Sequence, residues 1–188
     1  LTVGDVNGDG KPDIVTGNSN TDNISVLINT GTGTFNPAAN YVAGNFPQGV
    51  AIGDFNGDGL QDIAVTNQSD NNVSILLGTG GGYFGAPINF AVGTSPRFVA
   101  VGDFNGDGTQ DLAVSDHTLG DSFVTILLSM KSGQWSITTS NLSLGSHTLV
   151  ANATNALGNT SANSNSIVVT ILSDSIPDIS INDGSQNE

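Results

Sequence analysis

A ten-residue motif that occurs three times constrains this chain more than anything else in it. "GDVNGDGKPD" (4–13) returns as "GDFNGDGLQD" (53–62) and as "GDFNGDGTQD" (102–111). Asp5, Asp54 and Asp103 are spaced 49 residues apart, and the frame reaches beyond the motif: Gly31 falls on Gly80, Gly33 on Gly82 and Phe35 on Phe84. The third copy keeps the frame after a two-residue insertion near Thr118 and Leu119. A fixed period of this length marks a repeated supersecondary unit that buries its apolar face against its neighbours.

Each unit reads as four short strands. In the second copy "VAIG" (50–53) enters the motif, "DIAVTN" (62–67) leaves it, "NVSILLG" (72–78) follows a polar turn, and "INFAVG" (88–93) follows a Gly-rich stretch. Val73, Ile75 and Leu77 alternate at period two, as Ile24, Val26 and Ile28 do one repeat earlier, which places each set on one face of a strand. The expected fold is all-β, with three four-stranded blades of the β-propeller type over residues 1–131. Complete propellers have about four to eight blades, so three leave the ring incomplete.

The motif itself places oxygen at regular positions. Counted from its first Asp, position 1 is Asp5, Asp54 and Asp103; position 3 is Asn7, Asn56 and Asn105; position 5 is Asp9, Asp58 and Asp107; position 9 is Asp13, Asp62 and Asp111. Position 7 varies freely (Lys11, Leu60, Thr109), which suits a ligand given by the backbone carbonyl. Ca²⁺ takes six to eight hard oxygen ligands, whereas Mg²⁺ demands a stricter octahedron and keeps more water. The intervening glycines permit the positive φ of a tight loop. The pattern departs from the EF-hand loop, because position 12 is Thr16, Val65 and Val114 rather than Glu, and the flanks read as strands. A plain turn is the competing reading, since Asn-Gly and Asp-Gly are strong hairpin signals. Against it, a turn needs no Asp at positions 1, 5 and 9 together, and without a cation three close carboxylates repel one another. Nine of the seventeen acids occupy these positions. Three Ca²⁺ ions, one per repeat, are expected. The first loop, four residues from the chain start, has little of the strand that should precede it.

Composition narrows the function. The net charge is −14, with only three Lys or Arg, which argues against a basic surface for nucleic acid or anionic membrane. Sixteen of the seventeen acids are Asp, the short carboxylate favoured in turns and metal loops rather than helices. There is no Cys, hence no disulfide framework or thiolate chemistry. No apolar run approaches the roughly 20 residues that cross a bilayer as a helix. The chain opens inside a repeat and without Met, as a piece of a longer polypeptide would. His117 and His147 stand without a partnered nucleophile, so no catalytic residue is expected and the chain does not read as an enzyme.

The motif "GDFNGDG-x-x-D", followed some 22 residues after its last Asp by "FGAP" (Phe84 to Pro87), resembles the FG-GAP repeat, the blade of integrin α-subunit propellers and of many bacterial surface proteins. The likeness covers roughly residues 1–131, and the first copy carries a weaker "FNPA" (Phe35 to Ala38). It implies a loop between the first two strands of each blade that holds Ca²⁺ through positions 1, 3, 5 and 9 and the carbonyl of position 7. It also implies adhesion, recognition or scaffolding outside the cell. Protein or glycan ligands are the expected partners, together with neighbouring domains of a longer chain or self-association. Two other roles stay open, a non-catalytic appendage of a secreted enzyme and a Ca²⁺-dependent sugar-binding module. Residues 132–172, with strands expected at 135–139, 147–154 and 167–171, resemble part of a bacterial immunoglobulin-like domain. The repeat frame offers a second reading, a degenerate fourth blade, because Trp135 falls where Phe35 and Phe84 fall. Residues 173–188 read as a linker or the start of a further module.

Overall fold

The computed structural model describes residues 1–117, 123–129, 135–141, 145–149, 167–171 and 179–182. Every described element is a strand. The first sheet joins β1 (Thr2–Gly4), β2 (Asp13–Asn18), β3 (Asn23–Leu27) and β4 (Ala39–Val42) in chain order, each antiparallel to the next. The second is built alike from β5 (Pro47–Gly53), β6 (Asp62–Asn67) and β7 (Asn72–Leu76). A small hairpin of β8 (Gly78–Gly80) and β9 (Tyr83–Phe84) intervenes before β10 (Ile88–Ala91) completes it. The third sheet runs through β11 (Pro96–Gly102), β12 (Asp111–Asp116), β13 (Phe123–Ser129) and β14 (Trp135–Asn141). A three-stranded antiparallel sheet follows: β15 (Gly145–Leu149), β16 (Ile167–Ile171) and β17 (Ile179–Asn182).

The 49-residue frame survives in three dimensions. Asn29 pairs with Phe35, Gly78 with Phe84, and Ser129 with Trp135, one equivalent contact per repeat. The third sheet therefore runs past residue 131, where the sequence placed the end of the repeats, and Trp135 opens its fourth strand. Pro87 accounts for the difference between the second and third repeats. The "GAP" of the second repeat interrupts pairing between β7 and its outer partner, because Pro offers no N–H to the ladder. No Pro stands in the third repeat's return strand, so β13 and β14 pair without interruption from Phe123 with Asn141 to Ser129 with Trp135. Most of 142–166, on which the immunoglobulin-like and degenerate-blade readings depend, lies outside the described residues, as does most of 173–188.

Successive sheets pack face to face, and period-two alternation divides the core between them. Val15, Ile24 and Val26 of the first sheet meet Val50, Ile63, Val65, Leu76 and Phe84 of the second. The Tyr41 ring stands edge-on to Phe84 with centroids 5.5 Å apart, a favoured aromatic geometry. The opposite face of the second sheet, with Ala51, Ala64, Val73 and Ile75, packs on Leu112, Val114 and Leu127 of the third. The second sheet is covered on both faces, and its central strand β6 is buried at all six residues.

Amides lock the far end of the first two sheets. Asn67 Nδ2 donates to Asn72 Oδ1 and Ser74 Oγ, each at 2.7 Å, while its Oδ1 accepts the Gly44 N–H from the preceding connection at 3.0 Å. Asn18 makes the equivalent bonds to Asn23 and Ser25. In the third repeat the frame puts Asp116 at this place and Thr125 at that of the serine. Asp116 is 1% exposed, and neither carboxyl oxygen has a hydrogen bond of ordinary geometry among the described residues. Burial pushes its pKa up to about 7, with the Thr125 hydroxyl holding back the rise. An acid whose folded pKa is raised from 3.8 costs nothing below that value, and its cost grows until pH reaches about 7. Asp116→Asn restores the donor that Asn67 supplies. It is expected to stabilise the fold by on the order of 2 kcal/mol at pH 8 and by clearly less at pH 5, read from thermal melts at the two pH values.

Candidate metal centre

All three motifs fold into the same loop between the first and second strands of their sheet. Glycines at positions 4 and 6 take φ between 74° and 85° in every copy, a region that side chains with a Cβ avoid. This curls the chain so that the position 1 carboxylate caps three backbone N–H groups. Asp54 Oδ1 accepts from Gly57 at 2.8 Å and Asp58 at 3.1 Å, and its Oδ2 accepts from Gly59 at 2.9 Å. Asp5 and Asp103 do the same in their loops. The amide oxygen of Asn56 accepts the Asp58 N–H at 2.9 Å, and Asp58 Oδ1 accepts the Leu60 N–H at 2.8 Å. Asn7 and Asp9 repeat these bonds in the first loop, and Asn105 and Asp107 in the third. Positions 1, 3 and 5 thus gather at a solvent-facing tip, bound to the backbone of positions 4 to 7.

Position 9 lies beneath that tip. Asp13, Asp62 and Asp111 are each 0% exposed. Asp62 Oδ2 accepts the Phe55 N–H at 2.9 Å, and its Oδ1 accepts the Gly78 N–H at 2.8 Å. Asp13 bonds Val6 and Asn29 in the same way, and Asp111 bonds Phe104 and Ser129. One carboxylate therefore ties the start of the loop to the end of the third strand. Burial raises the Asp62 carboxyl above its ordinary value, backbone N–H groups at Gly78 and Phe55 oppose the rise, and the charges of Asp58 and Asp54 add to it. Asp111 is pushed up to about 7 in the same way, with Asp107 and Asp103 as its charged neighbours.

The first loop is framed like the others. Thr2, Val3 and Gly4 pair with Val15, Ile14 and Asp13, so three residues suffice to hold its entrance. It differs at position 7. Lys11 Nζ stands 2.9 Å from Asp9 Oδ2 and draws that carboxyl below its ordinary value by hydrogen bonding. In the other two loops the position 3 amide donates there instead, Asn56 to Asp58 and Asn105 to Asp107, both at 2.9 Å.

Two further groups belong to the loops and went unnoticed in the sequence. Position 2 is apolar in every copy, and Val6, Phe55 and Phe104 are buried at 5%, 1% and 3% exposure. Each anchors its loop in the core while its N–H meets the position 9 carboxylate. Position 8 links the second and third loops. Gln110 Oε1 accepts the Asp54 N–H at 2.8 Å across the junction of the second and third sheets. At the first junction Gln61 instead lines a cleft of about 410 Å³ with Asp5, Asn7, Leu60 and Gly81. Period-two core reasoning overlooks both positions, because they lie in a loop.

Among the described residues, no three acidic or imidazole side chains close on a common centre. The carboxylates are turned onto backbone N–H groups. The position 1 Oδ1 already accepts two N–H groups, but an oxygen that accepts one, such as Asp54 Oδ2 or either oxygen of Asp62, keeps a second lone pair. Three carboxylates, an amide oxygen and a backbone carbonyl per loop therefore still form a hard-oxygen set of the chemical kind that Ca²⁺ takes.

A sequence profile described as the FG-GAP-like repeat matches residues 5–65 and again 54–114. No curated protein matches the chain. Among solved structures, a Photorhabdus luminescens Tc holotoxin pore carrying the TccC3-D651A mutation is similar at 19% identity with a TM-score of 0.43. That match covers 93% of this chain and 8% of the toxin chain.

The two tiers of the loop predict different mutational costs. In metal-free protein, Asp62→Ala leaves the N–H groups of Phe55 and Gly78 without their acceptor and should cost about 2–4 kcal/mol. Asp58→Ala, at the solvent-facing tip, should stay within about 1 kcal/mol. Urea unfolding of both variants in chelator gives the comparison.

Proposed function

Because the chain belongs to the FG-GAP-like repeat family, we propose that it is a Ca²⁺-stabilised recognition module of a secreted or surface-displayed protein, with no catalytic role of its own. The single observation that carries this reading is the threefold loop in which positions 1, 3 and 5 bring oxygen to an exposed tip above a buried position 9 Asp. Asp54, Asn56, Asp58 and Asp62 would hold the ion in the second loop, with the carbonyl of Leu60. Asp103, Asn105, Asp107, Asp111 and the carbonyl of Thr109 would do so in the third, and Asp5, Asn7, Asp9, Asp13 and the carbonyl of Lys11 in the first.

The electrostatics support the same reading. A chain of net charge −14 gathers nine carboxylates in three loops, and a divalent cation in each offsets their mutual repulsion. Extracellular Ca²⁺ occupies even sites of about 10⁻⁴–10⁻³ M affinity, so an external location suits such loops. Binding to the folded form alone then stabilises it by linkage. Strand-stacked surfaces of this kind suit protein or glycan partners, and the scarcity of Lys and Arg disfavours nucleic acid.

Chelation is expected to lower the melting temperature, and calorimetry of chelator-treated protein to register uptake of up to three Ca²⁺ per chain. Asp58→Ala should lose one equivalent and part of the Ca²⁺-dependent stabilisation. If melting does not respond to chelator and calorimetry gives no heat, the loops are turns and the reading fails.

A further inference from the structure

The two junctions between neighbouring acidic loops are finished differently. Where the third loop meets the second, side chains close the gap. Gln110 Oε1 accepts the Asp54 N–H at 2.8 Å, and the Ser129 hydroxyl donates to the Phe55 carbonyl. Where the second loop meets the first, Gln61 stands at the place of Gln110 and Gly78 at that of Ser129. Gly78 has no hydroxyl to give, and a Cβ there would collide with the Gln61 carbonyl. The Gln61 amide has no hydrogen bond to another described residue. The Asp5 N–H and the Val6 carbonyl, equivalents of the two groups served at the other junction, therefore have no partner among the described residues.

A third group joins them. In the second and third loops the position 3 amide donates to the position 5 carboxylate. In the first loop Lys11 takes that acceptor, and Asn7 Nδ2 has no other among the described residues. Asp5, Val6, Asn7 and Gln61 all line the cleft of about 410 Å³ between the two loops. Small-molecule sites typically enclose about 300–1,000 Å³. No cationic side chain lines this one, which disfavours an anion. The Asp5 carboxylate is engaged by the N–H groups of Gly8, Asp9 and Gly10, so neutral donors and acceptors dominate the walls. At the rim stands Tyr83, 67% exposed, its ring 3.7 Å from where a Cβ on Gly81 would lie.

We infer that this cleft binds one neutral saccharide unit. A hydroxyl both donates and accepts, so two hydroxyls can do here what Gln110 and Ser129 do at the other junction. One accepts the Asp5 N–H and another donates to the Val6 carbonyl. The Asn7 and Gln61 amides serve further hydroxyls, and the C–H face of the ring lies against Tyr83, an aromatic with an apolar body and a polar tip. A peptide is held by a strand edge with pockets for alternate side chains, whereas these walls are loops and glycines. The inference deepens the recognition reading above and rests on it, but the sugar meets backbone and amide groups rather than the ion.

The test titrates the full chain with glucose, galactose, mannose and N-acetylglucosamine while backbone and side-chain amide resonances are followed. At least one sugar is expected to shift the Asp5 N–H and the Asn7 side-chain amide saturably. The Asp54 N–H, already bonded to Gln110, should not move. Leu60→Trp fills the cleft from a position whose side chain differs in every loop, and should weaken binding by about tenfold or more. Tyr83→Ala, at an exposed site, should weaken it by about threefold or more. No Asp5 shift with any of these sugars overturns the inference, as does equal binding to both variants. Equal shifts with glycerol or inorganic phosphate overturn it in favour of an adventitious additive only. A shift with N-acetylglycine methylamide alone overturns it in favour of a peptide. Calorimetry reads Ca²⁺ uptake on the same sample. Uptake without a sugar shift removes this inference alone, and a sugar shift without uptake removes the Ca²⁺ reading alone.

Discussion

Asp62 accepts one backbone N–H with each carboxylate oxygen, and on that pair of bonds the rest of the repeat depends. Its partners lie 7 residues before it and 16 residues after it, at Phe55 and Gly78. The first bond closes the loop, and the second fixes where the third strand ends and the outer hairpin begins. Phe55, held by the first bond, then drops into the core between the second and third sheets. A buried carboxylate without such donors would be expelled or protonated, and even with them burial raises the Asp62 carboxyl. The arrangement occurs three times with the same donors by position, which makes it the unit of the fold.

This places the acidic loop in a different light from a cage of equivalent ligands. Positions 1, 3 and 5 are a capping ladder at the solvent-facing tip, while position 9 is a structural strut. The two roles are compatible, since the strut's lone pairs and the ladder's oxygens lie on neighbouring residues of one curled segment. They separate in energy, because loss of the strut exposes unsatisfied N–H groups in the core, whereas loss of a tip carboxylate in metal-free protein leaves only a solvated backbone.

Stacking the sheets raises a second constraint, the balance of buried polarity at the far ends. Asn18 and Asn67 satisfy it with amides that both donate and accept. Asp116, with the Thr125 hydroxyl beside it, offers no donor when ionised, which leaves the third repeat as the place where stability responds most to pH.

The sequence by itself determined the all-β class, the period, the four strands of the second repeat and the identity of the loop residues. These are local or periodic properties: alternation at period two marks a strand, and glycine with short polar side chains marks a tight turn. It did not determine that Asp62 faces inward, because a polar residue at the end of a loop and the start of a strand looks the same whether solvated or bonded to N–H groups from distant sites. Nor did it place Trp135 in the third sheet, since the missing Pro and the two-residue insertion blurred the outer strand. Tertiary structure alone decided how the position 9 oxygens were spent on the backbone and which sheet faces were covered, because both depend on residues distant in the sequence that only folding brings together.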